Sequence, residues 1–219
     1  MKTINYTLSA IITVCTFINF NLQAQTLTAE LGDKKLENYA LANKSIYKDS
    51  GVTAELKPTS HGIRQIKAFG LLPVKVYSAQ LLAAKPENLI KDDSKIIDSF
   101  ANAGPVQLRL TMLRDLKGQQ ISESFIKALE TNGITEQNYS DQLKTVMSEI
   151  SSIKEFKKGE VFSIATTFTA DNGTMLLQKP DSSIKKITGN PEFIKNMFLI
   201  WFGKPVDDKL ASLKKELLK

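Results

Sequence analysis

The stretch GPVQLRLTML at residues 104–113 and the stretch GQQISESFIKALETNG at residues 118–133 decide the fold. The first predicts a strand with one face toward a core, because apolar residues occupy every second position: Val106, Leu108, Leu110 and Met112. The second predicts an amphipathic helix, because apolar residues recur at helical spacing: Ile121, Phe125, Ala128 and Leu129. Asn132-Gly133 suits a left-handed helix end. A half-buried strand followed by an amphipathic helix indicates helices packed on a sheet.

Toward the N-terminus, the sequence predicts mainly strands. Residues 63–69 and 74–84 both alternate in polarity, and Gly70 and Pro73 separate them. Residues 25–60 are mostly polar, with one short β-like run near residues 41–47. Residues 86–99 are rich in Lys and Asp and predict short helices.

Toward the C-terminus, a second helix is predicted by the apolar stripe Leu143, Val146, Met147, Ile150 and Ile153. Residues 161–169 and 174–178 predict strands around Asn172-Gly173, a pair that tolerates the positive φ of a tight hairpin. Residues 191–202 and 206–218 predict helices. This order of elements predicts an α+β fold, with helices on one face of a large antiparallel sheet.

The first 24 residues differ in character from the rest. Lys2 precedes an uncharged apolar run from Leu8 to Phe20, and Ala24 offers a small residue for cleavage. This pattern is typical of a cleaved secretory signal peptide, and an uncleaved anchor is the alternative. We therefore expect an exported protein, periplasmic or secreted, with residues 25–219 forming one domain. Because Cys15 is the only cysteine, the mature chain would contain none.

The sequence lacks the residues and motifs that several classes of enzyme and metal site require. There is 1 histidine, His61, and no HExxH, CxxC, phosphate-binding or dinucleotide-binding glycine motif. We therefore expect no metal, no cofactor and no triad built on histidine. The acidic pairs Asp92-Asp93 and Asp207-Asp208 are interpreted as solvated acids or helix caps. The 29 basic and 23 acidic residues are interleaved, which indicates solvated surface and no nucleic-acid interface.

Two sets of motifs together resemble bacterial members of the chalcone isomerase-like family. The first is Gly62-Ile63-Arg64, with Lys75-Val76-Tyr77 beginning eleven residues after the arginine. The second is ITGNPEF at residues 187–193 and FLIWFGKP at residues 198–205, preceded by Gly159-Glu160-Val161. The resemblance extends over about residues 37–218. It implies an open-faced β-sandwich, a large antiparallel sheet covered by helices with a ligand cleft between them.

The family contains enzymes that close a flavanone ring, and the resemblance locates their site in this chain. The enzyme's arginine falls on Arg64, and its strand threonine falls on Val76 or Tyr77. Its cleft tyrosine, its asparagine and its late-helix hydroxyl fall near Ile121, Ala128 and Ile194. Isomerisation needs donors directed at a developing enolate oxygen, and these apolar residues supply none. We therefore expect no catalytic residues, and an isomerase or intramolecular lyase acting on a conjugated carbonyl substrate is the alternative.

The family also contains plant proteins that bind fatty acids, in which an arginine and a tyrosine on adjacent strands hold the carboxylate. These two residues fall on Arg64 and Tyr77. The resemblance thus implies a fatty acid or similar amphipathic carboxylate as ligand, and five ligand-binding residues: Arg64, Tyr77, Ile121, Ala128 and Ile194. Three alternatives stay open: an internal ion pair of Arg64 with an Asp or Glu, ordinary core packing of Tyr77, and an interaction module whose cleft has collapsed. The sequence leaves the oligomeric state open.

Overall fold

The computed structural model describes residues 25–68 and 72–219, and within them the chain forms eight strands and five α-helices. The strands are β1 Thr26–Leu36, β2 Tyr39–Asp49, β3 Val52–Ala68, β4 Leu72–Ala83, β5 Val106–Met112, β6 Val161–Phe168, β7 Gly173–Gln178 and β8 Ile184–Gly189. The helices are α1 Ile96–Ala103, α2 Gly118–Thr131, α3 Asp141–Ser151, α4 Pro191–Phe202 and α5 Asp208–Leu217. The signal peptide predicted at residues 1–24 lies outside the described residues.

The strands form one antiparallel sheet in the order β1 to β8, so that each strand pairs with its neighbours in sequence. The long strand β3 changes partner along its length, because residues 52–56 pair with β2 and residues 57–68 pair with β4. The β1–β2 ribbon therefore crosses the back of the sheet, opposite the helices. Gln80 of β4 exchanges two hydrogen bonds of 2.9 and 2.8 Å with the Ala42 backbone of the ribbon. Gln178 Nε2 of β7 donates to Leu27 O at 2.9 Å.

The two faces of the sheet carry unequal cores. The larger core lies under the helices, where Phe100 of α1 meets Phe198 of α4 edge to face with ring centres 4.9 Å apart. Phe125 of α2 meets Trp201 of α4 in the same way at 5.0 Å. The smaller core lies under the β1–β2 ribbon and consists of Leu27, Ala42, Tyr47, Leu56, Leu82, Ala165 and Leu176. Burial on both faces explains why every residue of β5 is buried.

Local capping chemistry fixes where the helices begin and end. α2 ends as the sequence predicts, with Asn132 at its end and Gly133 at a φ of +79°. α4 begins at Pro191, and the Asn190 side chain accepts a hydrogen bond from Phe193 N. α5 begins in the same way, because the Asp207 side chain accepts from Leu210 N at 2.7 Å. This cap holds the Asp207 carboxylate in a fixed place beside the sheet.

The fold class predicted from the sequence is confirmed: an α+β fold with a large antiparallel sheet covered by helices. Two local predictions were wrong. Residues 25–60 form β1, β2 and the start of β3, where only one short β-like run was expected. The β6–β7 hairpin exists, but Asn172-Gly173 is not a positive-φ turn; Gly173 begins β7, where an added Cβ would lie 2.7 Å from Ile194 Cδ1. No helix in the described part of the chain is long and apolar enough to cross a membrane.

Candidate functional site

A cleft of about 320 Å³ lies between the ends of β3 and β4 and the first half of α2. Its lining residues are Arg64, Ile66, Val76, Tyr77, Arg114, Leu116, Gln120, Ile121, Ser124 and Phe125. Five of these side chains are apolar, two carry positive charge and one is a tyrosine. The cleft therefore combines a hydrophobic wall with cationic and hydroxyl groups, as sites for amphipathic ligands do.

A β-bulge between β3 and β4 brings neighbouring side chains to the same cleft. Arg64 pairs with Tyr77, but Gln65 pairs with Lys75, so Val76 has no partner in the register. Adjacent residues of a regular strand face opposite sides of the sheet, and an extra residue interrupts that alternation. Both Val76 and Tyr77 consequently line the cleft. The bulge also explains why sequence spacing alone left the two positions indistinguishable.

Arg64 is already paired with an acid of the chain. Its Nη1 and Nη2 donate to the two carboxylate oxygens of Asp207, each at 2.7 Å, and Nη1 also donates to Gln65 O. The side chain of Arg64 is 6% exposed and that of Asp207 is 36% exposed. Arg64 therefore forms the internal ion pair that the sequence left open as an alternative. The cleft beside Arg64 is nevertheless open. Two N–H groups of Arg64, on Nε and Nη2, keep no partner among the described residues.

Neighbouring groups keep the Asp207 carboxyl ionised. Burial opposes its ionisation, but hydrogen bonds from Arg64 and from Leu210 N outweigh this and lower the pKa of Asp207. The expectation that Asp207 caps a helix is confirmed. The same carboxylate thus joins the start of α5 to β3 at the edge of the cleft.

Tyr77 is buried and has a hydroxyl proton to offer. Its oxygen accepts a hydrogen bond from Trp201 Nε1 at 3.0 Å, which leaves the O–H free to donate. Burial raises the pKa of Tyr77 to about 12, against the opposing effect of the nearby Arg64 charge. The phenol therefore stays protonated at neutral pH and acts as a neutral donor facing the cleft.

Arg114, which the sequence reasoning missed, is the second cation of the cleft. It lies two residues after the end of β5, is exposed, and has no ion pair among the described residues. The sequence contains a signal that could have found it, because only three of the 29 basic residues are arginines: Arg64, Arg109 and Arg114. In a chain that uses lysine almost everywhere on its surface, each arginine indicates a place where a planar, multi-donor cation is needed.

The five residues predicted to bind ligand do not all lie together. Arg64, Tyr77 and Ile121 line the cleft, whereas Ala128 and Ile194 are buried elsewhere in the core. Ile194 packs against Gly173 of β7. Ligand binding by these residues stays a prediction. Within residues 25–68 and 72–219, no group of three or more His, Cys, Asp or Glu side chains is arranged to hold a metal ion.

A larger groove of about 680 Å³ lies on the outer surface between α1, α4 and Lys214 of α5. It is open to solvent, and two of its lysines are already neutralised. Lys195 pairs with Asp98 at 2.6 Å and Lys214 pairs with Asp93 at 2.8 Å. This groove contains none of the residues that the sequence predicted to bind a ligand.

Comparison with known proteins bears on the family and the fold of the chain. A family model described as chalcone isomerase-like matches residues 46–219. No curated protein sequence is significantly similar to the chain. Among solved structures, a fatty-acid binding protein of Arabidopsis thaliana superposes with a TM-score of 0.53 at 13% identity, covering 78% of this chain and 91% of that one. At such low identity the likeness shows the fold alone. Because the family model matches most of the sequence, the chain belongs to the chalcone isomerase-like family.

Proposed function

We propose that this protein is a non-catalytic binder of a fatty acid or a similar amphipathic carboxylate, held in the cleft between β3–β4 and α2. One observation carries the proposal: the cleft joins an apolar wall to Arg114, a cation without an acid partner among the described residues. The solved Arabidopsis relative is named as a fatty-acid binding protein, which supports a ligand of this class.

The charges of the cleft favour a ligand with one negative charge. Arg64 and Asp207 neutralise each other, so that Arg114 supplies the uncompensated positive charge. The Tyr77 hydroxyl and the unpaired N–H groups of Arg64 offer neutral and charged donors beside it. A hydrogen bond to a charged group contributes about 1.5–3 kcal/mol. The polar end of the cleft therefore orients the head group more than it supplies affinity.

The apolar wall supplies the affinity. Its residues are Ile66, Val76, Leu116, Ile121 and Phe125. Each buried methylene contributes about 0.8 kcal/mol, so eight methylenes give roughly 6 kcal/mol before the cost of association, about 4–15 kcal/mol. A cleft of about 320 Å³ is small for a ligand site. We therefore propose that the ligand has a hydrocarbon tail of medium length, which fits a cleft of this volume.

The cleft offers poor support for ring-closing catalysis. An enzyme of this type needs donors preorganised around a developing oxyanion. Here the arginine of the site is bound to Asp207, and Ile121, near which the family resemblance puts the cleft tyrosine, is an apolar residue that lines the cleft. A ring-closure assay with chalcone tests this directly, because turnover that disappears in Arg64→Ala would support the isomerase instead.

We also propose that the protein is exported, on the strength of the apolar sequence and the small residue at positions 8–24. The intact mass of the protein isolated from the soluble envelope fraction of its native cells tests this. A mass that corresponds to a chain beginning at or near Gln25 supports export with cleavage. A full-length mass in the cytosolic fraction contradicts it.

The binding proposal is tested by calorimetry with decanoate and with its methyl ester, which keeps the tail and removes the charge. We expect decanoate to bind and the ester to bind at least tenfold more weakly. Arg114→Ala should weaken decanoate severalfold and leave the ester unchanged. The matched control is Lys127→Ala, an exposed cation of α2 that does not line the cleft. Equal affinities for acid and ester, or equal effects of the two substitutions, would contradict the proposal.

A further inference from the structure

A second arginine is buried on the face of the sheet that points away from the cleft. Arg109 lies in β5, where it alternates with Leu108 and Leu110 of the helix-side core. It is 8% exposed, and it lines a recess of about 560 Å³ between the start of β1 and the β7–β8 turn. A guanidinium keeps its charge in proteins, so a buried one is costly unless an anion accompanies it.

No acid within residues 25–68 and 72–219 neutralises Arg109. Among the described residues its hydrogen bonding is limited to Nη1 donating to Thr111 Oγ1 at 3.1 Å, which leaves four of its five N–H donors without a partner. Burial lowers the pKa of Arg109, and no neighbouring charge offsets that effect. Residues 1–24 and 69–71, outside the described part, contain no Asp or Glu. The sequence as a whole therefore provides no carboxylate for this site.

The side chains next to Arg109 also have unmet hydrogen-bonding groups. Ser163 of β6 pairs directly with Arg109 across the strands, so the two side chains share a face. Ser163 is 1% exposed, and its Oγ has no partner. Gln107, two residues before Arg109 and on the same face, has an unpartnered Oε1. Buried polar groups are almost always satisfied in folded proteins. Of these three side chains Arg109 is the one that lines the recess, so its unpartnered N–H groups are those that a ligand there would satisfy.

We propose that this recess binds a small organic carboxylate, with Arg109 as its bidentate partner. The planar guanidinium matches the two oxygens of a carboxylate. Arg109 is the cation of the lining without an acid partner among the described residues, which matches a ligand with one negative charge. Lys179 at the rim pairs with Glu149 at 2.5 Å, an acid that it shares with Lys185 at 3.3 Å. The apolar part of the lining, Leu27, Ala29, Val161, Pro180 and Ile184, suits a short hydrocarbon tail.

This site is independent of the proposed cleft. Arg64 pairs in register with Tyr77 of the helix-side core, whereas Arg109 pairs with Gln80, which contacts the β1–β2 ribbon. The two arginines therefore project from opposite faces of the sheet. A ligand at Arg109 would contact β1 and the β7–β8 turn, and it would not touch α2.

Thermal unfolding tests the site with butyrate as the probe. Sodium butyrate replaces sodium chloride at constant ionic strength, and the wild type is compared with Arg109→Met and with the control Lys127→Met, an exposed cation that lines neither the recess nor the cleft. We expect butyrate to raise the Tm of the wild type and of Lys127→Met by the same few degrees, and to leave Arg109→Met unchanged. Without butyrate, Arg109→Met should unfold at a higher temperature than the wild type, because it lacks a buried unpaired charge.

Two results would overturn the site. A butyrate shift that persists in Arg109→Met would place the anion elsewhere, and a shift that is lost equally in Lys127→Met would show a general effect of removing a positive charge. A second measurement needs no variant, since the chain has only three arginines whose side-chain N–H signals can be told apart by NMR. Butyrate is expected to shift the Arg109 Nε–H signal in a saturable way. An Arg109 signal that stays unchanged up to saturating butyrate contradicts the proposal.

Discussion

Arg64 and Arg109 are buried to nearly the same degree, at 5% and 8% exposed, on opposite faces of one sheet. Arg64 is bound by both oxygens of Asp207, and the pair anchors the start of α5. In the described part of the chain, Arg109 has one neutral hydrogen-bond partner and no acid beside it. Burial of an arginine therefore does not by itself identify a ligand site. The difference between Arg64 and Arg109 is that the chain supplies a negative charge to Arg64 and none to Arg109 among the described residues. Changing the charge beside each arginine therefore tests this comparison.

The largest expected effect comes from removing the acid of the compensated arginine. Asp207→Ala leaves Arg64 buried without its partner and removes the cap of α5. Loss of one member of a buried pair costs about 3–5 kcal/mol, and the partial exposure of Asp207 places the expected loss near the lower end. Denaturant unfolding measures it. Asp208→Ala, which removes the adjacent exposed acid, should change the unfolding free energy little, and an equal loss in both variants would contradict the account.

Acidification should remove the same stabilisation without a mutation. The pKa of Asp207 is lowered in the folded state, so its contribution is complete above the unfolded value of about 3.9 and is lost as pH falls through the folded value. Asp207→Asn keeps a capping side chain but cannot titrate. We expect the stability difference between wild type and Asp207→Asn to shrink as pH falls below about 4. A difference that stays constant down to pH 2 would show that the Asp207 charge contributes nothing.

Removing the charge that neutralises Arg64 should increase the affinity of the cleft for a carboxylate ligand. In Asp207→Asn the guanidinium loses its charged partner while the helix cap is retained, so a ligand carboxylate no longer competes with Asp207. We expect decanoate to bind about tenfold more tightly, or 1.4 kcal/mol, by calorimetry. Lys67→Ala is the control, because it removes a charge beside α5 that pairs with Asp208 and does not line the cleft. Weaker binding in Asp207→Asn would mean that the ion pair itself shapes the site.

The smallest expected effect is the loss of unfolding free energy when the Tyr77 hydroxyl is removed. Tyr77→Phe removes the acceptor of Trp201 Nε1, and a lost hydrogen bond of this kind costs about 1 kcal/mol. The fluorescence of the only tryptophan follows the unfolding. Tyr139→Phe is the matched control, since the Tyr139 hydroxyl is buried without a partner and its removal should not destabilise the fold. Equal losses in the two variants would show that the Trp201 hydrogen bond adds nothing.

The sequence predicted those parts of the molecule whose signals are local. The apolar periodicity of α2 and the alternation of β5 need only neighbouring residues, and α4 begins at Pro191 because Asn190 caps it. β1 escaped prediction because most of its residues are exposed, so its apolar alternation is weak. It is fixed by pairing with β2, through a turn in which Glu37 and Asn38 both adopt positive φ.

The site was harder to predict than the fold because its decisive contact is not local. The residues of the ion pair, Arg64 and Asp207, are 143 positions apart, and no spacing rule joins them. The bulge at Val76 shifts the register by one residue, which sequence spacing could not reveal. Arg114 could have been found from the rarity of arginine, because each of the three arginines lines a recess in the described structure.

A crystal structure of the protein grown with decanoate tests the central claim most directly. We expect the tail to lie against Ile121 and Phe125, with the carboxylate among Arg64, Tyr77 and Arg114. An empty cleft at saturating decanoate, or a decanoate bound with its carboxylate in solvent and away from all three side chains, would contradict the account.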